Sequence, residues 1–329
     1  MTNAKLRQFL EARWMDGAVE GMRRIEGGEW NDAWRFDCKG KSYVVRQSNP
    51  ALSAASVAWE HELLRELADH LREVAAPIPA TDGKTLHSLD GRAVTVFPLL
   101  PGAPPGESEA TQSLAAKALG RLHNVLVRME PRGQRPGEPA LRDLDWDANV
   151  KWNWTSVLEK LQAGPNALPG AASSADEQAP REWICSQAQF LADERRRAEE
   201  WIAMTACRAP LTGVVHGDYF RGNLLVQDDD VTGIVDWDEA HIDWMAYELG
   251  WSAWEFCTPG DSLDFDAGAF DAFVRTYRDA GGRVPATEDD LLLPAVRCRH
   301  LVEVLWALDG GVFDAGYCAR GIRALQMLQ

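Results

Sequence analysis

Apolar positions change period several times along the first hundred residues. Leu6, Phe9 and Leu10 recur at helical spacing and predict a short amphipathic helix near the start. The stretch IEGGEWNDAWRF, followed by a glycine-containing turn and KSYVVRQ, reads as strand, glycine turn, strand, turn, strand. Leu63, Leu64 and Leu67 return to helical spacing over Ser56–Leu67, with Glu60 in the same stretch. AAPIP is extended, and GRAVTVFPLLPG predicts a strand that leaves its sheet at Pro98 and Pro101, residues with no N–H to give to a ladder.

Beyond residue 101 helical periods dominate. A helix over Ala115–Leu126 carries LGRLH, and Pro131–Pro139 is irregular and rich in Pro and Gly. Leu144–Val157 holds Trp146, Trp152 and Trp154 among Asp143, Asp145 and Asp147. Ala163–Pro180, rich in Ala, Gly, Ser and Pro, predicts a mobile loop or lid. Phe190, Leu191, Ala198, Trp201 and Ile202 mark another amphipathic helix. Met245, Leu249 and Phe256 form a buried stripe in which Gly250 and Ser252 allow close packing. An apolar helix over Leu291–Leu308 closes the chain, with Arg297, His300 and Glu303 on its wet side. No internal repeat is visible.

The candidate chemistry lies in VVHGDYFRGNLLVQDDDVTGIVDW, Val214 to Trp237. Leu224–Val226 and Gly233–Trp237 flank the turn-prone Asp228–Asp230, a hairpin pattern. Such a hairpin carries Asp236 back towards Asn223, which stands five residues after Asp218. Oxygen ligands of this kind suit a hard cation such as magnesium bound together with phosphate. An Asp at the incoming hydroxyl and a metal on the phosphates is the layout of a kinase. The sequence has no G-x-x-x-x-G-K-[ST] loop and no HRD, DFG or APE set, so a P-loop ATPase and a protein kinase are both disfavoured.

These motifs resemble the aminoglycoside phosphotransferase and choline kinase-like small-molecule kinases. The resemblance implies an α+β, two-lobed protein-kinase-like fold. An N-terminal antiparallel sheet lobe, residues 1–100, would bind nucleotide and end in a hinge. A larger, mainly helical C-terminal lobe, residues 101–329, would hold the catalytic loop and the acceptor. It makes Asp218 the catalytic residue and Asn223 and Asp236 the metal ligands, with ATP as donor, GTP left open, and magnesium as the ion. His216 would brace the catalytic loop, and His123 matches a structural histidine at a helix end. The G-x-x-N pattern is met by Gly28 and Asn31, beside the phosphates. Arg46 stands where relatives often have Lys and would contact the phosphates, oriented by Glu60, with Glu62 as its rival. Phe97, Leu99 and Leu100 would lie beside the adenine. Glu248 occupies the position of an Asp that buttresses the HGD loop in relatives, and Asp243 is the alternative.

Charge bears on the acceptor. The chain has 34 Lys plus Arg against 50 Asp plus Glu, a formal charge of −16, which disfavours nonspecific binding of nucleic acid or anionic membrane and attracts cations. Six cysteines without CxxC spacing, and a start without a long apolar stretch, read as a cytoplasmic protein with reduced thiols and no membrane partner; monomer and homodimer both stay open. Carboxylates next to indoles suit an ammonium group. The acceptor candidates are therefore Asp147, Asp238, Glu239, Trp244, Trp251 and Glu255, with simple packing as the other role open to the tryptophans. The leading expectation is a resistance kinase acting on an aminoglycoside-like or other amine-bearing antibiotic. The alternatives are a metabolic amino-alcohol kinase of homoserine or choline type and, from another class, a noncatalytic nucleotide-binding scaffold.

Overall fold

The computed structural model describes residues 3–26, 30–130, 132–147, 151–170, 175–258, 263–309 and 313–328. The strands are β1 (Glu20–Arg24), β2 (Asp32–Cys38), β3 (Lys41–Gln47), β4 (His87–Leu89), β5 (Arg92–Pro98), β6 (Thr212–Val215), β7 (Leu224–Gln227), β8 (Asp230–Ile234) and β9 (His241–Trp244). The α-helices are α1 (Asn3–Arg13), α2 (Ala54–Ala68), α3 (Glu109–Leu126), α4 (Trp154–Ala163), α5 (Ala175–Ser186), α6 (Ala188–Cys207), α7 (Met245–Cys257), α8 (Ala267–Asp279), α9 (Leu292–Asp309) and α10 (Ala315–Met327). The chain has the two-lobed α+β organisation, an antiparallel sheet unit and a larger, mainly helical one. The first compact unit takes in 1–106, 128–138 and 216–240, and the second 107–127, 139–215 and 241–329. The expected cut after residue 100 follows the sheet alone; the compact sheet unit also recruits two later segments.

In the first unit an antiparallel sheet runs in the order β1-β2-β3-β5-β4. Strand alternation gives it two different faces. On one, Val45, Val94 and Val96 join Phe36, Trp34 and the α1 residues Leu6 and Leu10 in a buried core. On the other, Arg46 pairs in register with Thr95, and both side chains meet α2 through Glu60 and His61. Ser53 caps α2 by accepting from Ser56 N at 3.1 Å. The β7–β8 hairpin turns on Asp228 and Asp229, both left-handed at φ 51° and 58°, the two-residue turn whose twist matches its strands. The hairpin is tied to the sheet unit by paired bonds between Ala103 and Val226 and by Ile234 N donating to Glu73 O at 2.7 Å.

The second unit is a helical core that absorbs all three tryptophans of the 143–154 segment. Trp146, Trp152 and Trp154 are buried with Val157, Ile184, Leu191, Trp244 and Leu301. Gly250 allows α7 to approach α9, since a Cβ there would meet Leu292 O at 2.5 Å. His123 on α3 is fully buried and links α7 and α8, its Nε2 at 2.7 Å from Glu248 and its Nδ1 at 2.8 Å from the Tyr277 hydroxyl.

Three expectations are corrected. The described part of 163–180 is not a loose loop: α5 begins at Ala175, and the buried Arg181 donates to Pro165 O at 3.1 Å and to Leu168 O and Gly170 O at 2.8 Å. One guanidinium thus satisfies the carbonyls that composition left unassigned. His300 is not on a wet face but buried between Trp251 and Trp254, each ring centroid 5.1 Å away. The chain does not close with α9 either, because α10 follows; its buried stripe of Cys318, Ile322 and Leu325 is interrupted by small residues and hard to see as a period.

Candidate active site

The HGD motif is shaped by its glycine. Gly217 has φ +87°, and a Cβ there would lie 2.3 Å from Glu239 O, so this tight turn admits no side chain. His216 before it is fully buried; its Nε2–H donates to Val235 O at 3.0 Å, and its Nδ1 accepts from Asp218 N at 3.3 Å. Both ring nitrogens are thus committed to backbone, which fixes the tautomer and fits a bracing role rather than proton transfer. Trp237 packs on the same ring at 4.5 Å between centroids.

Asn223 donates through Nδ2 to Asp218 Oδ2 and to Asp218 O, both at 2.9 Å. Its carbonyl oxygen remains as an acceptor-type ligand. Val235 N donates to Asn223 O at 2.9 Å, and this bond returns the hairpin to the catalytic loop. Strand β8 ends at Ile234, and Asp236 follows in the left-handed region at φ 63°, which throws its carboxylate out of the strand direction. Asp and Asn tolerate that backbone better than other L residues.

The residue surface of Asp236 reaches solvent, but protein packs closely round the carboxyl. That desolvation, then Asp238 and, against the pull of Arg46, Asp218, push the carboxyl well above the ordinary carboxylate range. A divalent cation relieves such crowding. Among the described residues no cluster of three or more His, Cys, Asp or Glu side chains could hold a metal by itself. One carboxylate and one amide oxygen instead fit a magnesium ion whose remaining ligands come from phosphate and water.

Arg46 Nη2 donates to Glu60 Oε1 at 2.7 Å, with the pair almost wholly buried. Burial raises Glu60, but Arg46 and then Arg135 overcome it and hold the carboxyl below its ordinary range. Arg46 stays charged despite burial because Glu60, Asp238 and Asp236 surround it. Its Nε is buried without a hydrogen-bond partner, an unusual state for a guanidinium donor. The Arg46 guanidinium also lies 5.4 Å from the Phe97 ring centroid.

The other expected nucleotide residues divide. Gly28 lies outside the described residues. Asn31 uses both ends of its amide inside the protein, donating to Asp238 Oδ2 at 2.7 Å and accepting from Asn49 N at 2.9 Å. Phe97 lies near the end of β5, and Leu99, just beyond it, gives its N–H to Ser42 O at 3.1 Å. Leu99 and Leu100 are half-buried.

The acceptor candidates fare unevenly. In the first unit, Asp238 is 7% exposed and bonded to Asn31, so it is turned from substrate to structure. Glu239 is half-buried next to Gly217. In the second unit, Trp244 is a core residue at 2% exposure, edge-on to Trp201. Asp147 forms a two-pronged pair with Arg195 at 3.0 and 3.1 Å. Trp251 carries the Arg299 guanidinium over its ring at 5.5 Å, with its own indole N–H unpartnered. Glu255 is half-buried on α7. Glu248 holds His123 through its Nε2, while Asp243 accepts from Leu141 N and Trp244 N at 2.7 Å each.

Arg135 was hidden in sequence. Fully buried, it joins Glu60 to the backbone at Trp237 and Ala240. It stands alone among turn residues, where neither period nor motif marks it.

The model of the phosphotransferase enzyme family matches residues 21–290, a span that contains every residue of this site. The chain belongs to the phosphotransferase enzyme family. Among curated phosphotransferase relatives, the homoserine kinase of Cupriavidus necator is 27% identical over 90% of this chain and 85% of its own length. That of Gluconacetobacter diazotrophicus is 26% identical over 84% and 77%. Among solved structures, amicoumacin kinase in complex with AMP-PNP, Ca2+ and Ami aligns with a TM-score of 0.69 at 15% identity, over 99% of this chain and 94% of that one. A microcompartment-associated aminopropanol kinase aligns with a TM-score of 0.67 at 17% identity, over 99% and 95%. At these identities the structures establish the shared phosphotransferase fold, and the enzyme class rests on the family match.

Proposed function

We propose that this protein transfers the γ-phosphoryl group of ATP to a hydroxyl of a small amine-bearing molecule. The observation that carries the reading is the set formed by Asp218, Asn223 and Asp236 in one loop system, with the unpartnered donor of Arg46 in the same compact unit. Asp218 orients the acceptor hydroxyl and takes its proton late, which needs no strong base in a loose transition state. Asn223 and Asp236 would hold magnesium, which when bound neutralises charge on the phosphates. Arg46 donates to the α- or β-phosphate, while Phe97, Leu99 and Leu100 flank the adenine.

The preferred acceptor is an amino alcohol. Homoserine kinases in two genera match most of this chain, which supports that preference. Glu239, Trp251, Glu255 and Asp147 remain as acceptor-side proposals. The antibiotic reading stands second, favoured by the likeness to amicoumacin kinase.

A panel of amino alcohols including homoserine, aminoglycosides, other amine-bearing antibiotics and neutral sugars, assayed for acceptor-dependent ATP consumption, tests the proposal. Turnover of an amino alcohol with formation of its phosphate ester is expected. Turnover of antibiotics alone would reverse the order of the two acceptors, and turnover of neutral sugars alone would end the amine requirement.

A further inference from the structure

Arg135 has no exposed side-chain surface, and its guanidinium is spread over four partners. Nε donates to Ser56 Oγ at 2.7 Å, Nη2 to Glu60 Oε2 at 3.1 Å, and Nη1 to Trp237 O at 2.7 Å and Ala240 O at 3.3 Å. Glu60 therefore serves two guanidiniums, one at each oxygen, because Oε1 takes Arg46 Nη2 at 2.7 Å. Arginine and carboxylate left to themselves favour two parallel bonds. Here the second prong is denied to Arg46, and its buried Nε is left without a partner.

We propose that Arg135 is a positioning residue of the nucleotide site. By occupying Oε2 of Glu60 it stops Arg46 from closing a two-pronged pair on that carboxylate and so reserves a donor of Arg46 for phosphate. Its other arm fixes the carbonyls of Trp237 and Ala240, in the short loop that follows Asp236. One buried side chain thereby sets both the cation that meets the phosphates and the backbone beside the proposed metal ligand. The inference rests on the reading of Arg46 as the phosphate contact.

The test measures ATP and adenosine affinity by calorimetry with magnesium, on the purified full chain and without any acceptor. The variants are Arg46→Met, Arg135→Met, Arg135→Lys, and Arg135→Met combined with Glu60→Gln. Wild type should bind ATP more tightly than adenosine, and Arg46→Met should lose that preference. Arg135→Met should weaken ATP binding roughly ten- to a hundredfold, the worth of a charge-assisted hydrogen bond, with adenosine affinity unchanged. Adding Glu60→Gln should restore much of the loss, because a neutral amide does not clamp Arg46. Structural damage would instead make the two substitutions add. Arg135→Lys, which reaches fewer partners, should show a smaller loss of the same ATP-selective kind and carries the test if the methionine variant does not fold. ATP binding unchanged in the folded Arg135 variants, equal loss of ATP and adenosine, or a deeper loss on adding Glu60→Gln would overturn the proposal. If wild type shows no preference for ATP, or Arg46→Met keeps it, the reading of Arg46 falls and takes this inference with it.

Discussion

Asn223 spends its amide nitrogen on Asp218 and keeps its oxygen, so two neighbouring side chains divide the labour of the site. In the proposed mechanism Asp218 serves the hydroxyl and not the nucleotide. Asp218→Ala should therefore lower kcat by about a hundredfold or more, the range of a lost general acid–base group, with melting temperature and ATP affinity unchanged. Full turnover in the purified variant would remove Asp218 from the mechanism. Asp236→Asn makes a clean companion, because Asn also tolerates the left-handed backbone at φ 63°. Calorimetry should show that ATP binding in this variant no longer responds to magnesium. A preserved response would move the ion to other ligands. That Asp218, Asn223 and Asp236 fall in one loop system was legible in the sequence because a motif and a hairpin fix their spacing. Arg135 was not, since its meaning comes from four partners spread from Ser56 to Ala240. Asn31 and Asp238 were visible as polar residues, but only packing could show that they satisfy each other.

Helix α2 carries a second buried polar station next to Glu60. His61 lies between Thr85 and Thr95, with ring nitrogens 2.8 and 3.1 Å from their hydroxyls. Burial lowers its pKa from 6.5 to about 4, opposed by Glu60 and helped by Arg46. The neutral ring is the folded form, so below its ordinary pKa the unfolded chain binds the extra proton. Stability from this group is full above about pH 6.5, falls as pH drops towards 4, and is lost below that, a change on the order of 3 kcal/mol. Urea unfolding at pH 7 and pH 4.5 should show a steeper fall in wild type than in His61→Gln; parallel falls would mean that His61 does not set it. At this scale the hairpin was legible because turn chemistry is local, and α2 because its apolar period is regular. Helix α5 was missed because Ala, Gly, Ser and Pro suggest a loop, whereas Arg181, on α5 itself, holds the carbonyls of the segment before it.

The charge of −16 is a property of the whole surface, so it acts on encounter more than on fit. At 0.1 M salt such fields fade over roughly 10 Å. For a cationic acceptor kcat/KM should fall with rising ionic strength while kcat holds, and for a neutral acceptor both should stay level. A salt-independent kcat/KM for an amine would confine charge recognition to direct contacts. The two-lobed organisation was legible because strand-rich and helix-rich halves differ in period. That the sheet unit borrows 128–138 and 216–240 was not, since contacts between distant segments leave no local pattern. The borrowing has a consequence for synthesis. The first unit cannot be completed until residue 240 has been made, which at roughly 5–20 residues per second is about 12–48 s after initiation. From residue 60 until then the nascent chain holds Arg46 and Glu60 without the loop that Arg135 anchors. The incomplete unit should then be a client for chaperones and proteases, and a chain arrested after residue 106 should be degraded where the full-length product survives.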